Sequence, residues 1–210
     1  MIRWAEDLNA SPFEEPLRAG RFLATLTIPW WIAGGWALDL SLGKRSRDHA
    51  DVDITVLRKD QETLQHFLGH GWQFLVVDPA LGSATRRVWL PGEALAPPLH
   101  EIHAERDGEH AEFLLEETSG SEWVYRRHDR VRRPIEQLGT RSPLGLPVIA
   151  AEVVLLFKAK APRQQDIADL TMMLPSLEPT QISWLRQAIE TAHPDSPFLE
   201  RLPTRRSAIP

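Results

Sequence analysis

The 210-residue chain is 42% hydrophobic and 25% charged, an ordinary balance for a soluble globular protein with one sizeable core or a catalytic unit plus a smaller helical companion. A net charge of −5 excludes a global basic surface for nucleic acid, and no apolar run approaches the ~18 residues needed to span a bilayer. With no cysteine there are no disulfides or thiolate metal sites; the N-terminus has no signal-peptide pattern, and a cytoplasmic location is expected.

Ser11-Pro12-Phe13-Glu14 has the form of a capping box, with proline at the first helical position, and Ala19, Phe22, Leu23 and Leu26 continue a helical stripe up to Pro29. The apolar run Trp30 to Ala33 reads as a buried strand, which Gly34-Gly35 breaks. Helical spacing runs from Trp36 through Leu40 and stops at Gly43; Trp30, Trp31 and Trp36 are expected to pack the core around the Gly-Gly turn. A basic loop, Lys44 to Ala50, leads into a strictly alternating strand. Val52, Ile54 and Val56 take one face, and Asp51, Asp53 and Thr55 the other. Two carboxylates side by side repel, and a divalent cation between them removes that repulsion.

Asp60 is placed to cap a helix through Leu64, Phe67 and Leu68, closed by Gly69 and Gly71. Short strands are expected over Trp72 to Val77 and Arg86 to Leu90. A hairpin follows, Leu99 to Glu105 and Ala111 to Glu117, turning over Arg106-Asp107-Gly108-Glu109, with Glu112, Leu114 and Glu116 on one face of its second strand. Glu122 to Arg127 is a further strand, and the arginines from 126 to 133 are expected to form a solvated edge. His100-Glu101-Ile102-His103 invites a zinc reading, but the zincin motif needs one more residue and a helix, and on a strand the two histidines face opposite ways.

From Pro147 the pattern becomes helical: Ile149, Val153, Leu156 and Lys160 fall on one face. A second helix runs through Asp166, Asp169, Leu170 and Met173. A third runs from Thr180 to His193, with Ile182, Leu185 and Ile189 inward, and the last dozen residues read as a loose tail. The expected architecture is α/β (α+β): a mixed sheet flanked by helices over residues 1–145, then a helical part over 146–210.

Gly34-Gly35-Trp36-Ala37-Leu38-Asp39, followed by Gly43, Ser46, Arg47, His49, Asp51 and Asp53, resembles the nucleotidyltransferase superfamily to which DNA polymerase β belongs, and most of all its aminoglycoside 2''-adenylyltransferase branch. Trp123-Val-Tyr-Arg-Arg127 and Leu155-Leu-Phe-Lys-Ala-Lys160 with Arg163, Asp166 and Asp169 extend the likeness over roughly residues 28 to 195. Relatives commonly continue Arg-x-Lys-Asp, whereas this chain has Gln165 at the third position and so lacks one basic group.

The resemblance implies a Mg²⁺-dependent enzyme that moves AMP, or another nucleoside monophosphate, from ATP or another nucleoside triphosphate to a hydroxyl of a small molecule. Aminoglycosides are the suggested acceptor, and antibiotic resistance the implied role. Asp51 and Asp53 would hold metal, with Glu112 as third carboxylate and general base, Glu101 as its rival and Glu116 third; relatives commonly carry aspartate there. Gly34 and Gly35 would let backbone approach the phosphates, and Ser46, Arg47 and Lys160 would contact them. Lys158 and Lys160 lie either in the cleft or snorkelled past the core, while Asp39 and His49 read as loop-fixing partners. The acidic tone of Asp51, Asp53 and Glu112 would suit a cationic acceptor. The alternative is a regulator on the same fold, non-catalytic or of the toxin–antitoxin type, acting on RNA or protein. Oligomeric state is not legible.

Overall fold

In a computed structural model that describes residues 11–69, 71–82 and 85–203, the chain forms a ten-stranded mixed sheet with helices around it. The N-terminal helix α1 is Glu14–Phe22; it begins after Pro12, which stays in the turn where the Ser11 carbonyl accepts from Glu14 N (2.9 Å). Strand β1, Trp30–Ile32, passes directly into helix α2, Gly34–Leu42, closed by left-handed Gly43. The helix therefore starts on the two glycines, two residues earlier than its apolar spacing predicts. Trp36 is buried beneath it, while Trp30 and Trp31 are only partly covered.

Strand β2, Asp53–Leu57, lies at the centre of the sheet, antiparallel to β1. Its apolar alternation is present, but Thr55 and Leu57 are buried as well as Ile54 and Val56. The face that carries Asp51 and Asp53 is thus covered beyond Asp53. After a 3-10 turn come helix α3, Gln61–Leu68, and strands β3, Gln73–Val77, and β4, Arg86–Val88. Asp60 precedes α3 without making a side-chain cap bond.

The hairpin is β5, Glu101–Arg106, and β6, Glu109–Ser119, joined at Asp107-Gly108, both in the left-handed region that a two-residue turn requires. Strand β6 also pairs in parallel with β2. Strands β7, Glu122–Val124, and β8, Arg132–Pro134, extend its far end, and β9, Gly139–Arg141, leads to β10, Pro147–Ile149. The main order is β4-β3-β5-β6-β2-β1-β10-β9.

Residues 147–149 are a strand where helical spacing is expected. Val148 pairs in parallel with Ile32, and those ladder bonds override a periodicity that includes Ile149 only by coincidence. Helix α4, Ala151–Lys158, begins after it; α5 is Gln164–Met173, α6 is Pro179–Ala192 and α7 is Phe198–Arg201. Phe198 and Leu202 are buried, so the segment before Pro203 is docked rather than loose; residues 204–210 lie outside the described ones. No helix among the described residues is long and apolar enough to cross a membrane.

Candidate functional site

Gly34 and Asp53 meet where β1 turns into α2. Ala33 N donates to the Asp53 carbonyl (2.9 Å), and a Cβ on Gly34 would collide with the Asp53 carboxylate. Gly34 also has φ +61°, which glycine adopts without strain, so both space and conformation demand it. At Gly35 a side chain would run into His49 and Arg47. The glycines thus let one strand end, one helix start and the carboxylate-bearing strand converge.

Register decides which hairpin carboxylate joins Asp53. Asp53 pairs directly with Glu112, whereas Glu101 pairs with Leu114 two residues further on and Glu116 with Leu57 at the buried end. Glu116 is buried, accepts from Trp123 Nε1 (2.7 Å) and lies 3.6 Å from Arg126. Asp51, just before β2, is partly buried. Burial, with the neighbouring Glu112 and Asp51 charges, pushes the Asp53 carboxyl up to about 7. Burial and Glu101 push Glu112 up as well, while the hydrogen bond from His103 lowers Glu101.

Ser46 and Arg47 are engaged with protein groups. Asp39, buried on α2, accepts from Ser46 N (2.9 Å), Ser46 Oγ (2.6 Å) and His49 Nε2 (2.7 Å). Burial lowers the His49 pKa against the opposing pull of Asp39. The neutral ring that this favours donates through Nε2 and accepts at Nδ1 from Arg47 Nη1 (3.1 Å). Arg47 reaches Asp169 (3.3 Å), and Lys158 bridges Asp169 (2.9 Å) and Asp166 (2.7 Å). One polar chain therefore ties α2, the basic loop, α4 and α5.

A cavity of about 340 Å³ opens beside Gly34 and Asp53. Its apolar wall includes Leu114, Leu138, Ile149, Val153 and Phe157, and Arg126, Arg127, Lys158, Lys160 and Arg163 line the rest. Asp53, Glu116 and Asp166 are its acidic residues, so the cavity is predominantly basic and the acidic tone is confined to the strand ends. Lys160 lines it from beyond the end of α4, exposed. Glu112 and Asp51 are not among the lining residues.

The arginines between 126 and 133 are not uniformly a solvated edge. Arg126 stacks on Phe157 and Arg133 pairs with buried Glu152 (3.0 Å), while Arg130 and Arg132 are exposed. Arg126 Nη1 is buried without a hydrogen-bond partner among the described residues, at the cavity wall. No sequence signal marks Arg126 apart from its neighbours; only the partner it meets on the sheet does.

A family model described as aminoglycoside-2''-adenylyltransferase matches residues 18–173. Relatives from Escherichia coli and Klebsiella pneumoniae, both 2''-aminoglycoside nucleotidyltransferases, are 42% identical over 45 residues. That match covers 20% of this chain and 25% of each relative, so the chain spans a quarter of their length. Among solved structures, the antibiotic-resistance factor ANT(2'')-Ia aligns with a TM-score of 0.54 at 16% identity, over 89% of this chain and 93% of that one. The lincosamide adenylyltransferase LnuA aligns with a TM-score of 0.50 at 16% identity, over 78% and 96%. These structural likenesses concern the fold.

Proposed function

The chain belongs to the aminoglycoside-2''-adenylyltransferase family, and on that premise we propose that it transfers a nucleoside monophosphate, AMP first, from a nucleoside triphosphate to a hydroxyl of an aminoglycoside or lincosamide-like small molecule. The observation that carries this reading is Asp53, set against Gly34 at a basic cavity and paired across the ladder with Glu112.

Asp51, Asp53 and Glu112 offer the hard oxygen donors that suit Mg²⁺, and burial together with the Glu112 and Asp51 charges already raises the Asp53 carboxyl to about 7. Bound Mg²⁺ would neutralise charge on the attacking and leaving oxygens of an in-line displacement. The protein's own part is to place the reactants. Arg126, Arg127 and Lys160 attract the triphosphate into the cavity, and the first N–H groups of α2, which no intrahelical carbonyl takes up, add donors beside Gly34. Glu112, with its carboxyl raised, takes the proton of the acceptor hydroxyl as the oxygen attacks the α-phosphorus, and the α–β phosphoanhydride bond breaks to release pyrophosphate. The helices from Ala151 onward close the cavity's apolar wall.

Incubation with each of the four labelled nucleoside triphosphates, Mg²⁺ and panels of aminoglycosides and lincosamides tests the reading; no labelled product from any pair would refute it. Glu112→Gln should lower kcat by about 10²–10⁴-fold, with a much smaller change in triphosphate affinity because Asp51 and Asp53 would still hold Mg²⁺. If Glu101→Gln has that effect instead, the base sits on β5.

Lys160→Met should weaken triphosphate binding by ~1–3 kcal/mol, the scale of a charge-assisted hydrogen bond, with Tm unchanged because the lysine is exposed. Lys158→Met should do the reverse and lower Tm, since its ammonium holds Asp166 and Asp169 together. Calorimetry and melting on both variants check the pair; equal affinity in Lys160→Met would remove this lysine from the site.

A further inference from the structure

The proposed transfer leaves His100-Glu101-Ile102-His103 unused, and the sheet divides that motif. His100 turns to one face, where its Nδ1 accepts from Arg58 Nη2 (2.8 Å) beside Glu117. His103 turns to the other face, in the row that runs Asp53, Glu112, His103 across β2, β6 and β5. Its ring is buried. Nε2 lies 2.7 Å from Glu101 Oε1, and Nδ1 lies 3.0 Å from His110 Nε2 and 3.9 Å from Glu112 Oε2. The ligand atoms of Glu101, His103 and Glu112 all fall within 4.8 Å of one another.

We infer that Glu101, His103 and Glu112 form a second cation site, selective for a divalent transition metal such as Mn²⁺, Co²⁺ or Zn²⁺ over Mg²⁺. The site shares only Glu112 with the proposed transfer centre and does not depend on that activity. An imidazole nitrogen among carboxylates is the donor set that suits these metals, whereas Mg²⁺ prefers oxygen and water. The three ligands stand on two hydrogen-bonded strands of one antiparallel ladder, which fixes their spacing in the way a ligand set requires. Glu101 is 40% exposed and gives an ion a route in from solvent, while the His103 ring behind it is held in a buried position. His110 lies at the back of that ring and is itself 3.8 Å from Glu105, an outer layer that orients the imidazole.

The test uses the full chain stripped with EDTA and titrated with Co²⁺ in excess Mg²⁺, followed by visible absorption and calorimetry. Saturable binding of one equivalent is expected, weakened at least about tenfold in Glu101→Gln and in His103→Gln, and retained in Asp51→Asn/Asp53→Asn. Co²⁺-shifted imidazole proton resonances in the unaltered protein would identify a histidine ligand even if His103→Gln does not fold. Unchanged affinity in Glu101→Gln, absence of shifted imidazole signals, or loss of binding in Asp51→Asn/Asp53→Asn would each overturn the site. The three side chains would then be a hydrogen-bond network only.

Discussion

Asp53→Asn should abolish the proposed transfer and, in metal-free buffer at pH 8, make the protein more stable. The two effects share one cause. Burial and the Glu112 and Asp51 charges raise the Asp53 carboxyl from an ordinary 3.8 to about 7. Between those values the native state keeps a proton that the unfolded chain has lost, so native stability falls as pH rises through the window. At pH 8 the full penalty is in place, with a ceiling of about 4 kcal/mol. Asparagine carries no charge and removes it; near pH 4 the wild-type carboxyl is still protonated and the two proteins should melt alike.

Catalysis should move the other way. Removing the carboxylate proposed to hold metal should forfeit several kcal/mol of transition-state charge stabilisation, a loss of about 10³-fold or more in turnover. Melting in EDTA at pH 4 and pH 8, together with single-turnover rates in Mg²⁺, checks both halves. Added Mg²⁺ should raise the wild-type Tm at pH 8 and leave the variant nearly unmoved. A variant that is destabilised equally at both pH values would mean Asp53 is an ordinary buried acceptor.

The second large effect is structural. Asp39→Ala should lower stability by about 3 kcal/mol, because it strips a buried acceptor from three donors at once: Ser46 N, Ser46 Oγ and His49 Nε2. In a chain of this size that is a fall in Tm of roughly 6–12 °C. The loss should also reach the active region, since the loop those bonds hold leads directly into Asp51 and Asp53. Differential scanning calorimetry decides it; a Tm within 2 °C of wild type, on a scale of roughly 2–4 °C per kcal/mol, would show that water replaces the carboxylate at little cost.

Asp39 also illustrates what was legible in the sequence. The order strand, Gly-Gly, helix, Gly43, Asp-x-Asp can be read because each step is local: an apolar run, two residues without Cβ, a helical spacing, a left-handed stop, an alternation. The hairpin at Asp107-Gly108 and helices α5 and α6 are legible for the same reason, since turn chemistry and periodicity need no distant partner. The role of Asp39 and His49 in fixing the loop follows from their closeness along the chain.

Tertiary structure alone decided what depends on a partner far away in sequence. Residues 147–149 are a strand because β1 offers them a ladder, and Thr55 is buried because β2 lies between β1 and β6 at the centre of the sheet. Arg126 and Arg133 are drawn inward by Glu116 and Glu152, charges that no local pattern assigns to them. Which of Glu101, Glu112 and Glu116 lies in register with Asp53 is not legible in the sequence, for a simple physical reason. All three alternate on the same sheet face, and only the parallel register of β2 on β6 sets Glu112, rather than its neighbours, beside Asp53.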